Sequence, residues 1–314
     1  METGSKNILR LAPEVGEALA RGEPVVALES TVIAHGLPHP VNLETARRCQ
    51  QAVQAQGAVP ATIAIIDGRA AVGLSEAEIE IFANGAAPDG RSIEKVSLNN
   101  LAAVSVKRGW GATTVASTLR IARKAGIRVF STGGIGGVHR GASDTFDISA
   151  DLTALAATPV ICVSAGAKAI LDLPKTVETL ETLGVPVVGY RTDELPAFYS
   201  RHSGLGVDFT VETAEEAAHL AARHWEAGAT SALLVCAPVP EEFELSAGEV
   251  ERAVKEALEE AARLKIRGKA ITPFLLSRME RLSEGRTLEA NRALLVNNAG
   301  VAAEIAASLA GLLR

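Results

Sequence analysis

Two side chains stand where chemistry would need them, Glu29 and Lys168. Residues 24–32 read PVVALESTV, and residues 159–168 read PVICVSAGAK, so each group follows an apolar, β-branched run. A carboxyl at the end of such a strand is opposed in its ionisation by desolvation unless a cation is near. A raised pKa is what a general acid requires. A lysine in similar surroundings can shed its proton near neutral pH and act as a nucleophile. The plain alternatives are a salt-bridged strand-end glutamate and a lysine that reaches back to solvent.

Between them an apolar, β-branched run over 127–130 reads as a strand and ends in Thr132-Gly133-Gly134-Ile135-Gly136-Gly137, followed by His139 and Arg140. This is not a dinucleotide loop: from Gly134 the string reads Gly-Ile-Gly-Gly-Val-His and fails at its sixth position. No G-x-x-x-x-G-K-[ST] string occurs either. Glycine at this density is either a turn or a place where backbone approaches a ligand closely. Asp144, Asp147 and Asp151 follow at spacings that share one face if helical. That face is either solvated or offers oxygen ligands to a hard cation, magnesium or manganese rather than zinc. Gly111-Ala112-Thr113-Thr114 reads as a helix start, an ordinary cap or a phosphate site. Asn297 and Asn298 interrupt an apolar run. They either tie helices together or read an amide-like ligand such as a nucleobase.

The elements that must position these groups alternate. The pattern predicts a frayed start over 1–12, a short helix over 12–21, a strand over 24–32 and a helix over 41–56. A strand over 61–66 turns at Asp67-Gly68 into a return strand over 69–73. Ser75 and Glu78 form a capping box, as do Ser246 and Glu249. Residues 92–109 carry no clear period. Helices are expected over 111–126, 176–184, 213–227 and 288–313, from Ser246 and from Thr272, and as a continuation through AKAILDL after residue 166. Strands are expected over 185–190 and 231–236. Strands alternating with helices predict one layered α/β domain over 1–314, with a mixed, largely parallel sheet. Ligands of such sheets bind beyond the carboxyl ends of the strands.

Net charge is −6 and no Lys/Arg cluster occurs, which disfavours nucleic-acid binding. The three cysteines, Cys49, Cys162 and Cys236, show no Cys-x-x-Cys spacing and read as buried thiols. The start lacks a basic region followed by an apolar one, and the uncharged run between Asp151 and Lys168 is too short for a bilayer. A soluble, cytoplasmic protein with no membrane partner is expected.

Taken together, several strings resemble the pseudouridine-5'-phosphate glycosidase family. They are ALEST with the later HG-P (27–38), GATTVAST (111–118), STGGIGGVHRGA (131–142), TFDISADL (145–152), SAGAK (164–168), TPFLL (272–276) and VNNA (296–299). They span nearly the whole chain in family order. The resemblance implies reversible cleavage of the C–C glycosidic bond of pseudouridine 5'-phosphate to uracil and ribose 5-phosphate. It implies Glu29 as general acid, Lys168 as covalent nucleophile and a manganese ion at Asp147, with waters completing the shell and magnesium as a substitute. It places substrate contacts on Lys95, Val115, Ser149, Ala150 and Asp151, and implies a homotrimer of α/β/α subunits. Lys95 and the N–H groups near Thr113 or Thr132 are candidates for phosphate, and His139 and Asn298 for sugar or base. A class I aldolase-like lyase acting on a phosphorylated sugar would use the same lysine. A nucleotide-sensing or metabolite-binding protein would bind without turnover.

Overall fold

A computed structural model describes residues 8–266 and 271–312. The chain begins with β1 (Leu9–Leu11) and α1 (Pro13–Ala20), whose proline sits in the first turn, where a missing N–H costs nothing. The expected fraying therefore stops short: residues 9–11 form an edge strand, and residues 1–7 lie outside the described residues. Next come β2 (Val25–Glu29), buried throughout, a π-helical turn (Val32–Gly36) and α2 (Val41–Ala55). β3 (Val59–Ile66) and β4 (Arg69–Val72) pair antiparallel around Asp67 and Gly68, both with positive φ, as a primed hairpin turn requires. α3 (Glu76–Asn84) carries the complete capping box of Ser75 and Glu78.

The segment without a clear period contains β5 (Glu94–Val96) and α4 (Leu101–Val106). Gly111–Thr113, expected to open a helix, is instead β6, because it pairs with both β5 and β3; α5 (Val115–Ala125) starts one residue after Thr114. β7 (Val129–Ser131) leads into the glycine segment, then α6 (Ala142–Thr145), α7 (Ala150–Ala156) and β8 (Ile161–Ser164). Phe146, at φ +53, separates α6 from α7, so the three aspartates share no helical face.

The helix expected through AKAILDL is absent. The backbone there pairs with the glycine segment instead: Ala165 donates to Gly133 (2.9 Å), Lys168 to Ile135 (3.1 Å) and Asp172 to Val138 (2.9 Å). Helix α8 (Leu173–Thr182) starts only where Asp172 caps it. β9 (Val187–Tyr190), β10 (Phe209–Val211), α9 (Ala214–Glu226) and β11 (Leu233–Cys236) follow. Last come α10 (Ala247–Arg263), α11 (Ile271–Leu282) and α12 (Arg286–Leu312). The second capping box is half formed: Ser246 accepts from the Glu249 N–H, but the Glu249 carboxylate turns to Arg286.

The main sheet runs β1-β4-β3-β2-β7-β8-β11-β9-β10, with β6 beside β3 and β5 beside β6; every pairing is parallel except β3 with β4 and with β6. Strands β2, β7 and β8 are buried throughout, as parallel strands covered on both faces must be. Helices α2, α9 and α12 form one layer; α5 packs against α7 in another. Helix α12 is long and apolar enough, by those measures alone, to cross a membrane. Here half of its apolar window is buried, against α2, α9, β7 and β8.

Candidate active site

The parallel register aligns the ends of β2, β7 and β8, pairing Leu28 with Ser131 and Ser131 with Val163. Glu29 at the end of β2, Thr132 just after β7 and Lys168 four residues after β8 therefore emerge at the same edge. There the chain forms a cleft of about 190 Å³ lined by Glu29, Lys95, Val115, Thr132, His139, Ser149, Asp151 and Lys168. Eight positions singled out from the sequence thus converge from β2, β5, α5, α7 and the segments after β7 and β8.

Glu29 is only 9% exposed. Thr132 Oγ1 donates a short hydrogen bond to its Oε1. Burial pushes the Glu29 carboxyl above the usual range; Lys168, the Thr132 hydrogen bond and Lys95 oppose that shift, while Asp151 adds to it. Lys168 Nζ donates to the Gly134 carbonyl at 2.7 Å. The amine and the carboxyl thus face one space, each held by the glycine segment.

That segment is fixed from below. Asp151 accepts from Gly136 N (2.8 Å) through one oxygen and from Ala116 N (2.9 Å) through the other, joining the loop to the start of α5. Ser149 N donates to the Gly137 carbonyl at 3.0 Å. A Cβ on Gly136 would stand 2.7 Å from the Asp151 carboxylate, and one on Gly134 2.6 Å from the Phe198 ring. Glycine is required here by space rather than by φ.

Other sequence candidates fall elsewhere. Asn298 is fully buried and does not line the cleft; its Nδ2 donates to the carbonyls of Thr132 (2.9 Å) and Gly133 (3.4 Å), so it ties α12 to the loop. Asn297 reaches the Pro238 carbonyl at 3.5 Å. Ala150 opens α7 without lining the cleft. Thr113 is buried under the floor, where Ser30 accepts from its N–H (2.9 Å) and its hydroxyl donates to Ile63 (2.6 Å). Arg140 leaves the cleft for Glu251 of α10, in a bidentate pair at 2.6 and 2.8 Å.

Asp147 lies just outside the cleft, and its backbone carbonyl accepts from His139 N at 3.0 Å. Burial pushes the His139 imidazole below its ordinary value; Asp147 opposes this, and Lys168 and Lys95 reinforce it. Among the described residues no three His, Cys, Asp or Glu side chains are grouped to hold a metal. A lone carboxylate suits a hard cation that keeps most of its water, not one held in a cage of protein ligands.

Several lining residues escaped the sequence reading. Asn291 sits on the cleft two helical turns before Asn298, a spacing that puts both on one face of α12. Phe198, at φ +66, forms part of the wall, and no local pattern announces its backbone. His35 enters from the π-helical turn.

A family model described as "Indigoidine synthase A like protein" matches residues 14–308. A protein of Caldanaerobacter subterraneus subsp. tengcongensis named pseudouridine-5'-phosphate glycosidase is 53% identical over 299 residues, covering 95% of this chain and 96% of its own. One of the same name from Deinococcus radiodurans is 52% identical over 304 residues, covering 97% and 96%. Among solved structures, the prealnumycin C-glycosynthase AlnA in complex with ribulose 5-phosphate superposes with TM-score 0.89 at 41% identity, covering 98% of this chain and 99% of that one. An indigoidine synthase A-like protein of Thermotoga maritima gives 0.87 at 38% identity, covering 96% of both.

Proposed function

The chain belongs to the indigoidine synthase A-like family and, within it, to the pseudouridine-5'-phosphate glycosidases, enzymes acting on a C-glycosyl bond, and from that premise we propose that it cleaves pseudouridine 5'-phosphate to uracil and ribose 5-phosphate with Glu29 and Lys168. The observation that carries the reading is the meeting of a buried, proton-retaining carboxyl and a lysine amine in one cleft.

An N-glycosidic bond breaks by protonating a leaving nitrogen or oxygen, work for two carboxylates. A C–C bond offers no such atom, which is why the second group is an amine. Glu29 gives its proton to the ribose ring oxygen; the C1'–O bond breaks and C1' becomes conjugated to the uracil carbonyl. The uncharged Lys168 amine adds to C1'. Protonation of uracil C5 then releases the base as the C1'–C5 pair leaves with it and an imine forms. Water hydrolyses the imine, and the net change is one water consumed per nucleotide cleaved. The reaction requires Glu29 to carry its proton and Lys168 to react as the free amine. Burial, which raises the carboxyl pKa, favours the protonated Glu29.

Lys95 and the N–H groups beside Thr132 are the proposed phosphate contacts; Val115, Ser149 and Asp151 complete the wall, with His139 at the sugar. A hydrated manganese ion at Asp147 would supply positive charge beside His139. The proposal includes a cytoplasmic homotrimer. Uracil and ribose 5-phosphate released from pseudouridine 5'-phosphate, with uridine 5'-phosphate untouched, is the expected result. Failure to release uracil contradicts the reading.

A further inference from the structure

The segment between β9 and β10 has no part in the proposed reaction, yet it is built down onto the two glycine-bearing stretches that hold Lys168. It is tied from both ends. Leu195 N donates to the Leu205 carbonyl (2.8 Å), and the N–H groups of Ser203 (3.1 Å) and Gly204 (2.9 Å) donate to the Glu194 carboxylate. Beyond β11, the Glu244 carboxylate accepts from Arg201 N (2.8 Å) and Ser200 Oγ (3.2 Å). Residues 196–198 are thereby set against the floor of the cleft. The Pro196 carbonyl stands where a Cβ on Gly166 would have to go. The Phe198 ring stands where one on Gly134 would, 2.6 Å from that position, and Phe198 N donates to the Ala165 carbonyl at 3.2 Å. Buried Tyr199 meets the ring edge-on, with centroids 4.7 Å apart. Phe198 holds φ +66, a conformation that a bulky side chain rarely adopts. Such strain persists only where the surroundings over-determine it.

What lies under the ring is a single peptide, Gly134–Ile135. Its carbonyl accepts from Lys168 Nζ at 2.7 Å, and its N–H donates to the Gly166 carbonyl at 3.0 Å. A peptide that follows a glycine is the freest to turn, and packing on the glycine Cα removes that freedom. We infer that Phe198 is a positioning residue for Lys168: its ring fixes the Gly134 peptide, and the Gly134 carbonyl aims the amine. Phe198 also lines the cleft, so the competing role is a plain wall contact with the substrate, which would act on KM. The inference rests on the proposed reaction, in which the amine must meet C1' along one line, and it adds the residue that sets that line.

The test combines steady-state cleavage of pseudouridine 5'-phosphate with the rate at which borohydride traps saturating ribose 5-phosphate on Lys168. F198A is expected to lose about 10²-fold in kcat, the scale of a 1 Å misplacement, with KM changed by less than about threefold. The trapping rate falls by a similar factor. F198L, which keeps apolar bulk over Gly134, recovers most of both. G134A drives a methyl group into the ring and loses activity by itself. In G134A/F198A that methyl occupies the vacated space, so the double variant exceeds both single variants in kcat and in trapping. F198G, to which φ +66 costs nothing, replaces F198A throughout if the alanine chain does not fold. A loss confined to KM overturns the inference, as do losses that simply add in the double variant. A wild-type chain that leaves pseudouridine 5'-phosphate intact overturns the proposed reaction instead. The trapping arm, which needs only an amine and an aldehyde sugar, then still reads whether Phe198 aims Lys168.

Discussion

The acid role proposed for Glu29 depends on a balance that mutations of its neighbours can move. Burial holds its proton on, and the Thr132 hydroxyl works against burial by favouring the ionised form. As a general acid Glu29 must be protonated, so kcat/KM falls as pH rises through its raised pKa. T132V removes the opposing hydrogen bond, and the alkaline limb is expected to move to higher pH; a limb that stays or moves down contradicts the assignment. E29Q should lose about 10²- to 10⁴-fold in kcat, the usual contribution of a positioned acid. The linkage has the same sign in stability. A folded pKa above the unfolded one destabilises the native state as pH rises through the folded value. E29Q cannot ionise, so its Tm should gain on the wild type over that range, read by calorimetry across pH. At this scale the sequence was legible where chemistry imposes a residue type: a carboxyl and an amine at two strand ends. It was not legible for Asn298, whose amide serves the loop backbone, or for Phe198, whose ring meets Gly134 only once both segments have folded.

The glycine segment and the stretch after β8 are one element in function, paired residue by residue through their backbones. That pairing overrode the helical pattern of AKAILDL, since local propensity is a weak prior against tertiary hydrogen bonds. The same competition turned Gly111–Thr113 into a strand. Strands β2, β7 and β8 and the helices around them were legible, because apolar runs and caps are local signals. D151N should cost about 1–3 kcal/mol, because one of two buried N–H groups then faces an amide NH₂. A Tm fall of roughly 2–4 °C per kcal/mol follows for domains of a few hundred residues. G136A should lower both Tm and activity, since its Cβ has no room beside Asp151 and Ser149. By contrast, R140A breaks an ion pair whose Glu251 is largely exposed, and stability should change by less than about 1 kcal/mol. Equal losses in D151N and R140A would contradict this ranking.

For the molecule as a whole, the layered sheet explains why residues more than a hundred positions apart share one cleft: parallel strands deliver their ends to the same edge. Phe146, 82% exposed, and Ile148 flank Asp147 on the outer rim. In the proposed trimer such apolar side chains are where a second copy would be met; light scattering should give a three-chain mass, and a monomer at micromolar concentration contradicts it. In the proposed reaction all of this serves one event, capture of the sugar carbon by an amine. The direct measurement is to incubate the protein with ribose 5-phosphate and borohydride, and to map the product by peptide mass spectrometry. A reduced pentose-phosphate adduct on Lys168, absent in K168M along with uracil release, is the predicted result. An adduct on another lysine, or full turnover by K168M, would contradict it.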